Sequence, residues 1–441
     1  MISGDNQIRR AVLNLALPVT ISSLLQRTEG IVDIFLVGGL GSPSIAAVGL
    51  GQLLVFAAMT LVAGLSVGTT VLIAQLYGAR RLREAGEAAW HSIALALLAS
   101  IILMALGFIL GRPAMMLVGA GDDVIPLADS YIELIFLVIP FTVLLQVLSA
   151  ILHGTGNTRT PMYALIAVNI LHISIAYPLI YGRAGFPAMG VRGAAVAVGV
   201  AEAAGVLFLL LRCLPVLKRP ATVRGDLLRT LWDVGGPVSG ERMVQQAGIF
   251  AYAKVVFVYG TSAYAAHQVG LSIESFSFMP GYGFAVAAAT MMGQSIGAGE
   301  YARAKLEHRE ANRLAAFVMA GMGLLFFFFP YALLRAFTGD QTVIELGGLF
   351  LKIVAVAQIP LAITMVLAGS LRGAGDTGYI LGATLAGMWS VRVPAAMIGA
   401  FWLHLSIGYI WSAMVADWFL RMGLLWLRYR SERWQEIRMI R

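Results

Sequence analysis

The sequence is poor in charge: Asp, Glu, Lys and Arg make up 12% of its 441 residues, against 59% hydrophobic residues. That leaves too little polar surface to cover a water-soluble globule, which excludes a soluble enzyme of this length. Cysteine is scarcer still. Cys213 stands alone, which excludes an internal disulfide and argues against thiol chemistry or a cysteine metal site. The six histidines show no metal-ligand spacing, and no Walker-type phosphate loop is present. Nor does the chain carry the nucleophile constellation of an intramembrane enzyme or the filter-like repeat of a channel. The expectation is a protein that is not an enzyme and has no bound cofactor.

What the chain has is apolar length, with a mean hydropathy of +0.82. A membrane-spanning helix takes roughly 20 to 25 residues, so this length holds about twelve. Uninterrupted apolar runs place them at 11–37, 46–76, 88–110, 124–152, 161–182, 190–212, 230–259, 264–296, 311–335, 341–371, 379–402 and 404–427. The expected fold class is an all-α integral membrane protein of twelve transmembrane helices. The first run is too long for a signal peptide, contains Arg27, Glu29 and Asp33, and ends in no small-residue cleavage site, so it reads as an uncleaved span.

The net charge of +8 would suit a nucleic-acid partner only if the basic residues shared one soluble face. They are distributed by topology instead. Counting connectors, termini and span edges, 21 lie on the side of the amino terminus, the even-numbered connectors and the tail, 4 lie on the other side, and six fall inside spans. The positive-inside rule therefore puts both termini in the cytoplasm of a plasma-membrane protein. Clusters such as Arg80-Arg81-Leu82-Arg83, Lys218-Arg219 and Arg428-Tyr429-Arg430 are suited to anionic inner-leaflet lipid. Membrane lipid is thus an expected partner, nucleic acid is not, and no obligatory protein partner is indicated.

One offset, 219 residues, relates the two halves without a gap. At that spacing Pro18 matches Pro237, Gln26 matches Gln245, Gly41 matches Gly260, Gly64 matches Gly283, Gln75 matches Gln294, and Gly78-Ala79 matches Gly297-Ala298. The longest match pairs Leu152-His153-Gly154-Thr155-Gly156-Asn157-Thr158 with Leu371-Arg372-Gly373-Ala374-Gly375-Asp376-Thr377. Generic apolar similarity aligns Ala and Leu, but it does not hold Pro, Gln and Gly-x-Gly-[Asn/Asp]-Thr in one register. Six spans per half is an even number, so both halves enter from the same side as a parallel repeat of two pseudo-symmetric six-helix bundles. The expected organisation is an amino-terminal lobe over 1–212, a cytoplasmic linker over 213–229, a carboxyl-terminal lobe over 230–427 and a basic tail over 428–441. Parallel repeats of this kind rock about a central site in transporters.

The stretch Ala265-Ala266-His267-Gln268, Ile273-Glu274-Ser275-Phe276-Ser277-Phe278-Met279-Pro280-Gly281 and Gly293-Gln294-Ser295-Ile296-Gly297-Ala298-Gly299 resembles the multidrug and toxic compound extrusion (MATE) family. So do Val32-Asp33-Ile34, His153-Gly154-Thr155-Gly156-Asn157-Thr158-Arg159-Thr160-Pro161 and Ser370-Leu371-Arg372-Gly373-Ala374-Gly375-Asp376-Thr377. The likeness is greater to the bacterial and archaeal DNA-damage-inducible branch than to the sodium-driven norfloxacin exporters. It implies cation-coupled export of amphipathic, often cationic organic compounds through two lobes forming a V-shaped cavity. A lipid-linked sugar or lipid flippase of related architecture is the alternative; its cavity should be strongly basic, whereas the first span here is acidic.

Ionisable residues inside spans need partners or water, so they are functional candidates by default. Ser22, Gln26, Glu29 and Asp33 recur at helical spacing and stack on one face of the first span. A carboxylate on such a face can take up and release a proton as access alternates. Asp33 also falls on the first-helix aspartate implicated in coupling in the family, with Arg27 as the alternative, purely structural partner. In the fifth span, Asn169 and His172 are candidates; the resemblance puts Asn and Asp where this chain has His172 and Ala176, which weakens a sodium cage. The repeat carries the stripe to Glu241, Gln245, Gly248 and Tyr252 in the seventh span. There Glu241 stands one turn before the glutamate expected of the norfloxacin branch, whose position holds Gln245, and no acidic residue falls in Gln358 to Thr364 of the tenth. Glu241 could act with Glu274, which shares a face with His267, or be neutralised by Arg242 or Lys254. Coupling to H⁺ is favoured over Na⁺. Candidate substrate contacts are Gln52, Met59, Tyr163, Gln245, Met279, Tyr282, Met291, Met292 and Met388, because adaptable Met-rich and aromatic surfaces accept varied ligands.

The charge asymmetry makes a topological prediction. Alkaline phosphatase fused after Arg430 should be inactive, and fused within the 183–189 connector active; the reverse pattern would invert the topology.

Overall fold

Hydrocarbon offers the backbone no hydrogen-bond partners, so each apolar run closes its own bonds as a helix. The computed structural model describes residues 2–437 apart from 119, 120, 122, 123 and 221, together with 439; of the basic tail, 438, 440 and 441 lie outside the described residues. Among the described residues twelve long helices follow one another: α1 (Ile2–Gly38), α2 (Ser42–Gly78), α3 (Leu82–Val118), α4 (Ile125–Gly154), α5 (Arg159–Tyr181), α6 (Val191–Cys213), α7 (Gly225–Phe257), α8 (Thr261–Gly297), α9 (Tyr301–Phe328), α10 (Gln341–Gly373), α11 (Thr377–Trp402) and α12 (Ile407–Arg430). A short helix, Pro330–Arg335, follows α9, and there is no strand among the described residues. Ten of the twelve are apolar and long enough to cross a membrane on composition alone. The other two, α7 and α8, are 33 and 37 residues long, and polar groups such as Asp233, Glu241, Arg242, His267 and Glu274 interrupt their apolar windows.

The repeat recurs in the backbone. Left-handed turns stand at Gly41 (φ 101°) and Gly260 (φ 99°), and again at Gly156 (φ 87°) and Gly375 (φ 88°), each pair at the 219-residue offset. A side chain at any of them would strain the connector, which is why the motif glycines are kept in register. Close helix packing repeats too. A Cβ on Gly154 would come within 2.8 Å of the Thr70 carbonyl, and one on Gly373 within 2.4 Å of the equivalent Ala289 carbonyl. Gly51 leaves room for Tyr131 as Gly270 does for Phe350, with 2.4 Å and 2.2 Å to a hypothetical Cβ. Apolar lipid gives helices little hydrophobic drive to associate, so small residues that let backbones touch are the main source of packing energy.

The chain divides into two compact units, one of Ile21–Tyr77 and Arg81–Gly235, the other of Met1–Thr20, Gly78–Arg80 and Gly236–Arg441. Each unit therefore holds most of one repeat half and the opening turns of the other half's first helix. In the first unit the start of α7 packs on α2, where a Cβ on Gly235 would meet the Gly64 carbonyl at 2.7 Å. In the second, the start of α1 packs on α8, where a Cβ on Gly283 would meet the Ala16 carbonyl, also at 2.7 Å. Val12 and Ala16 are wholly buried in the core that includes Phe284 and Met319. Gly64 and Gly283 are repeat equivalents, so the same contact is built twice from exchanged segments. Ahead of α7, Arg224 binds Glu84, Glu87 and Asp226 at 3.4, 3.2 and 2.5 Å, and its guanidinium holds the Asp226 carboxyl down at about 2.

Gly373→Ala should lower the thermal midpoint of the purified protein, at a cost of about 1–3 kcal/mol from overpacking. Gly423→Ala, with open space at its Cα, should be neutral or mildly stabilising. Equal responses would refute the close approach as the reason for glycine at 373.

Candidate functional site

In the first unit the carboxylates of α1 turn inward in its carboxyl-terminal half. Asp33 is 4% exposed, and the fully buried His172 of α5 sets Nε2 3.0 Å from its Oδ1. The approach has ion-pair distance but not the alignment of a hydrogen bond: Asp33 Oδ1 and both ring nitrogens of His172 are buried without a hydrogen-bond partner. Glu29 is half-buried one turn earlier, and its Oε1 is likewise buried and unpartnered. A third carboxylate comes from α6. Glu202 is buried, accepts a 2.6 Å hydrogen bond from Thr142 Oγ1 of α4, and lies within electrostatic reach of Glu29 and Asp33. The phenol of Tyr131 lies within electrostatic reach of the same three carboxylates, in the space that Gly51 leaves open. Three carboxylates share this interior with one imidazole, and the surplus negative charge has to be offset by a proton, a cation or water.

The remaining candidates of this half are placed less centrally. Asn169 is buried but spends its amide on the Leu165 carbonyl at 3.0 Å. Gln26 is exposed, and so is Arg27; the ionic partner of Asp33 is His172. Gln52 donates to the Gly30 carbonyl at 3.2 Å, Met59 Sδ receives Gln146 Nε2 at 3.7 Å, and Tyr163 is exposed.

The second unit buries a different set of charges. Glu241 of α7 accepts from Arg372 Nη2 of α10 at 2.9 and 2.7 Å and from Thr384 at 3.4 Å, so its hydrogen-bonded cation is Arg372, with Arg242 and Arg421 acting on it at longer range. Asp417 of α12, with no exposed surface, takes Arg421 at 2.6 and 2.9 Å and Arg392 at 3.1 Å. Two local features make this triad fit. A Cβ on Gly387 would lie 2.0 Å from Asp417 Oδ1, so only glycine admits the carboxylate. Residues Ala386–Arg392 form a π-helical stretch, which changes the facing of the residues after it and leaves Arg392 buried beside Asp417. Arg392 also lies over Tyr252 at 5.6 Å, and Arg421 over Trp418 at 5.0 Å. His267 and Glu274 are both buried on α8; His267 packs against Phe350 and Tyr252, with ring centroids 5.3 and 5.8 Å away, and Arg392 is the cation nearest in effect to Glu274.

A cavity of about 60 Å³ in this unit is lined by Glu241, Arg242, Gln245, Tyr282, Arg372 and Arg421, among others. Of the proposed substrate contacts, Gln245 and Tyr282 thus share one site, and Met279 is half-buried nearby in sequence. Met291, Met292 and Met388 are buried in apolar clusters, Met388 lying over Gly248. Among the described residues no group of three His, Cys, Asp or Glu side chains is arranged to hold a metal ion. Sequence reasoning passed over Glu202, Tyr131, Thr142, Arg372 and Asp417; the signal for Glu202 and Asp417 was present, since each is the one carboxylate inside its apolar run, with Arg421 one turn after Asp417.

The MatE family matches residues 18–178 and 237–398. The chain is 31% identical to a probable multidrug resistance protein NorM of Thermotoga maritima, over 98% of this chain and 94% of that protein. It is 25% identical to a probable multidrug resistance protein YoeA of Bacillus subtilis, over 96% and 93%. The fold is similar to that of the Vibrio cholerae MATE transporter VcmN, with a TM-score of 0.91 at 19% identity, covering 98% of this chain and 99% of that one.

Asp417→Asn strands two buried guanidinium groups and should destabilise the protein by about 3–5 kcal/mol. Arg229→Gln, which removes an exposed pair with Asp233 at 3.6 Å, should cost no more than about 1 kcal/mol. Thermal midpoints in one detergent compare the two, and similar losses would mean that Asp417 is not the keystone of its triad.

Proposed function

The chain belongs to the MatE family, and on that premise we propose that it exports amphipathic, often cationic organic compounds in exchange for protons, by alternating access. It is a multi-pass membrane transporter and not an enzyme. The observation that carries the proton reading is the 3.0 Å approach of His172 to Asp33. An imidazole beside a carboxylate can receive and pass on a proton, whereas Na⁺ would need several converging oxygens, and His172 supplies none. In this reading Asp33 is the coupling carboxylate, His172 its relay, and Glu29 a second proton-holding group on the same face of α1. Gln26 and Asn169 contribute polarity around them. In the other half Glu274 with His267 is the candidate for a coupled polar pair, and the Glu241–Arg372 pair positions α7 against α10.

Alternating access follows if protonation changes how many uncompensated charges the first unit has to bury. With Asp33 ionised the cluster needs water or a cationic compound; with Asp33 protonated it can close on itself. Each state thereby favours one direction of access, and export is linked to proton entry. Gln245 and Tyr282, together on one cavity wall, are the substrate contacts that the geometry supports best. The basic residues of the tail and even-numbered connectors support a plasma-membrane orientation with both termini on the cytoplasmic side.

In proteoliposomes, a pH gradient should drive efflux of ethidium, and a sodium gradient at fixed membrane potential should not. Asp33→Asn, close to isosteric, should reduce the pH-driven rate by about 100-fold, in the range of a lost acid–base group. Sodium-driven efflux, or an unchanged Asp33→Asn protein, would overturn the proton assignment.

A further inference from the structure

The two halves have diverged in charge at equivalent buried positions. At the 219-residue offset Glu202 corresponds to Arg421, His153 to Arg372, Ser23 to Arg242 and Asp33 to Tyr252. The second half thus carries guanidinium groups at three positions where the first has a carboxylate, an imidazole and a hydroxyl, and a phenol where the first has Asp33. In the second half, Arg242, Arg372 and Arg421 line one cavity of about 60 Å³, and Glu241 is the carboxylate facing them there. That carboxylate is already bound by Arg372, and Arg421 is bound by Asp417.

Several donors in this cavity are left over. Arg242 is half-buried and has no ion-pair partner among the described residues. Arg372 Nε and Thr364 Oγ1 are buried without a hydrogen-bond partner, and both residues line the cavity. Unmatched donors beside excess positive charge are costly in a low-dielectric interior unless an acceptor arrives. The volume suits one small oxyanion group, and Phe278 and Trp418 on the wall offer an apolar and aromatic surface beside it. Fork-shaped guanidinium donors are matched to carboxylate geometry.

We propose that this cavity is an anion subsite for the transported compound, binding a carboxylate or comparable oxyanion, so that the preferred cargo is a zwitterionic amphiphile. The proposal rests on the export reading above and adds to it the substrate class. A simple lipophilic cation leaves Arg242, Arg372 Nε and Thr364 unmatched, and a compound with an added carboxylate satisfies them.

The test uses one dye scaffold in two charge forms: rhodamine 6G, an ethyl ester and a cation, and its free acid, which is zwitterionic. Binding to the full-length protein in lipid nanodiscs is read by fluorescence anisotropy. Wild-type protein should bind the acid about tenfold or more tightly than the ester. Arg242→Gln should bring the ratio of affinities close to one, and Arg242→Lys should retain part of it. A wild-type ratio of one, or a ratio that Arg242→Gln leaves intact, overturns the subsite. Excess acetate added with the ester supplies the anion separately; if it raises ester affinity to that of the acid, the anion is a free co-ligand and the assignment to the cargo falls. Dye efflux from liposomes is measured in parallel. If the ester is exported under a pH gradient and the ratio is one, the subsite fails and the export reading stands. If neither dye moves while the acid is still preferred, the export reading fails and the subsite stands.

Discussion

Charge buried among membrane helices has to be matched, neutralised or reached by water, because hydrocarbon solvates none of it. Much else in this protein follows from how its two halves meet that constraint. The second half matches charge with charge: Asp417 is wholly enclosed and holds Arg392 and Arg421, while Glu241 holds Arg372. Such a network is rigid, since removing any member strands another. The first half does not balance. Glu29 and Asp33 share a single imidazole, His172, Glu202 adds a third carboxylate within reach of them, and the surplus has to be relieved by a proton, a cation or water. One half is thus suited to holding its shape and the other to changing its charge.

The same constraint explains local departures from regular helix. The π-helical stretch Ala386–Arg392 and the bare Cα of Gly387 both serve to seat Asp417 between two arginines. Away from the charges, packing is set by small residues. Gly154 and Gly373 let helix backbones touch at equivalent places in the two halves, and Gly64 and Gly283 do so for the exchanged openings of α7 and α1. The duplication is therefore kept where helices must approach and relaxed where side chains carry charge.

How much of this could be read in advance differs by feature. The twelve helices were legible because composition and run length respond to the bilayer residue by residue. Even α7 and α8, with polar interruptions, were found through their apolar neighbours. The repeat was legible because glycine turns such as Gly156 and Gly375 tolerate no substitute at positive φ. That Glu29 and Asp33 share a helix face was legible because helical period is local, but not that Gln26, at the same spacing, stays exposed. The partners of Asp33 were not. His172 stood out only as a departure from a family pattern, and Glu202, visible as a charge in an apolar run, could not be tied to Asp33 because their meeting depends on how α6 packs. Arg372 looked like a connector residue until α10 brought it to Glu241.

By itself, the sequence determined that this is a membrane protein, that it has twelve helices in two related halves, and that its basic residues are unevenly shared between alternate connectors. These properties are sums over local choices, since each residue contributes its own transfer energy and each turn its own φ. Tertiary structure alone decided which charges meet, that the beginnings of α1 and α7 are exchanged, and that the halves have opposite polarity inside. Those are pairwise matters between residues far apart in the chain, and an ion pair falls away within a few ångströms. No local pattern encodes a distance that short.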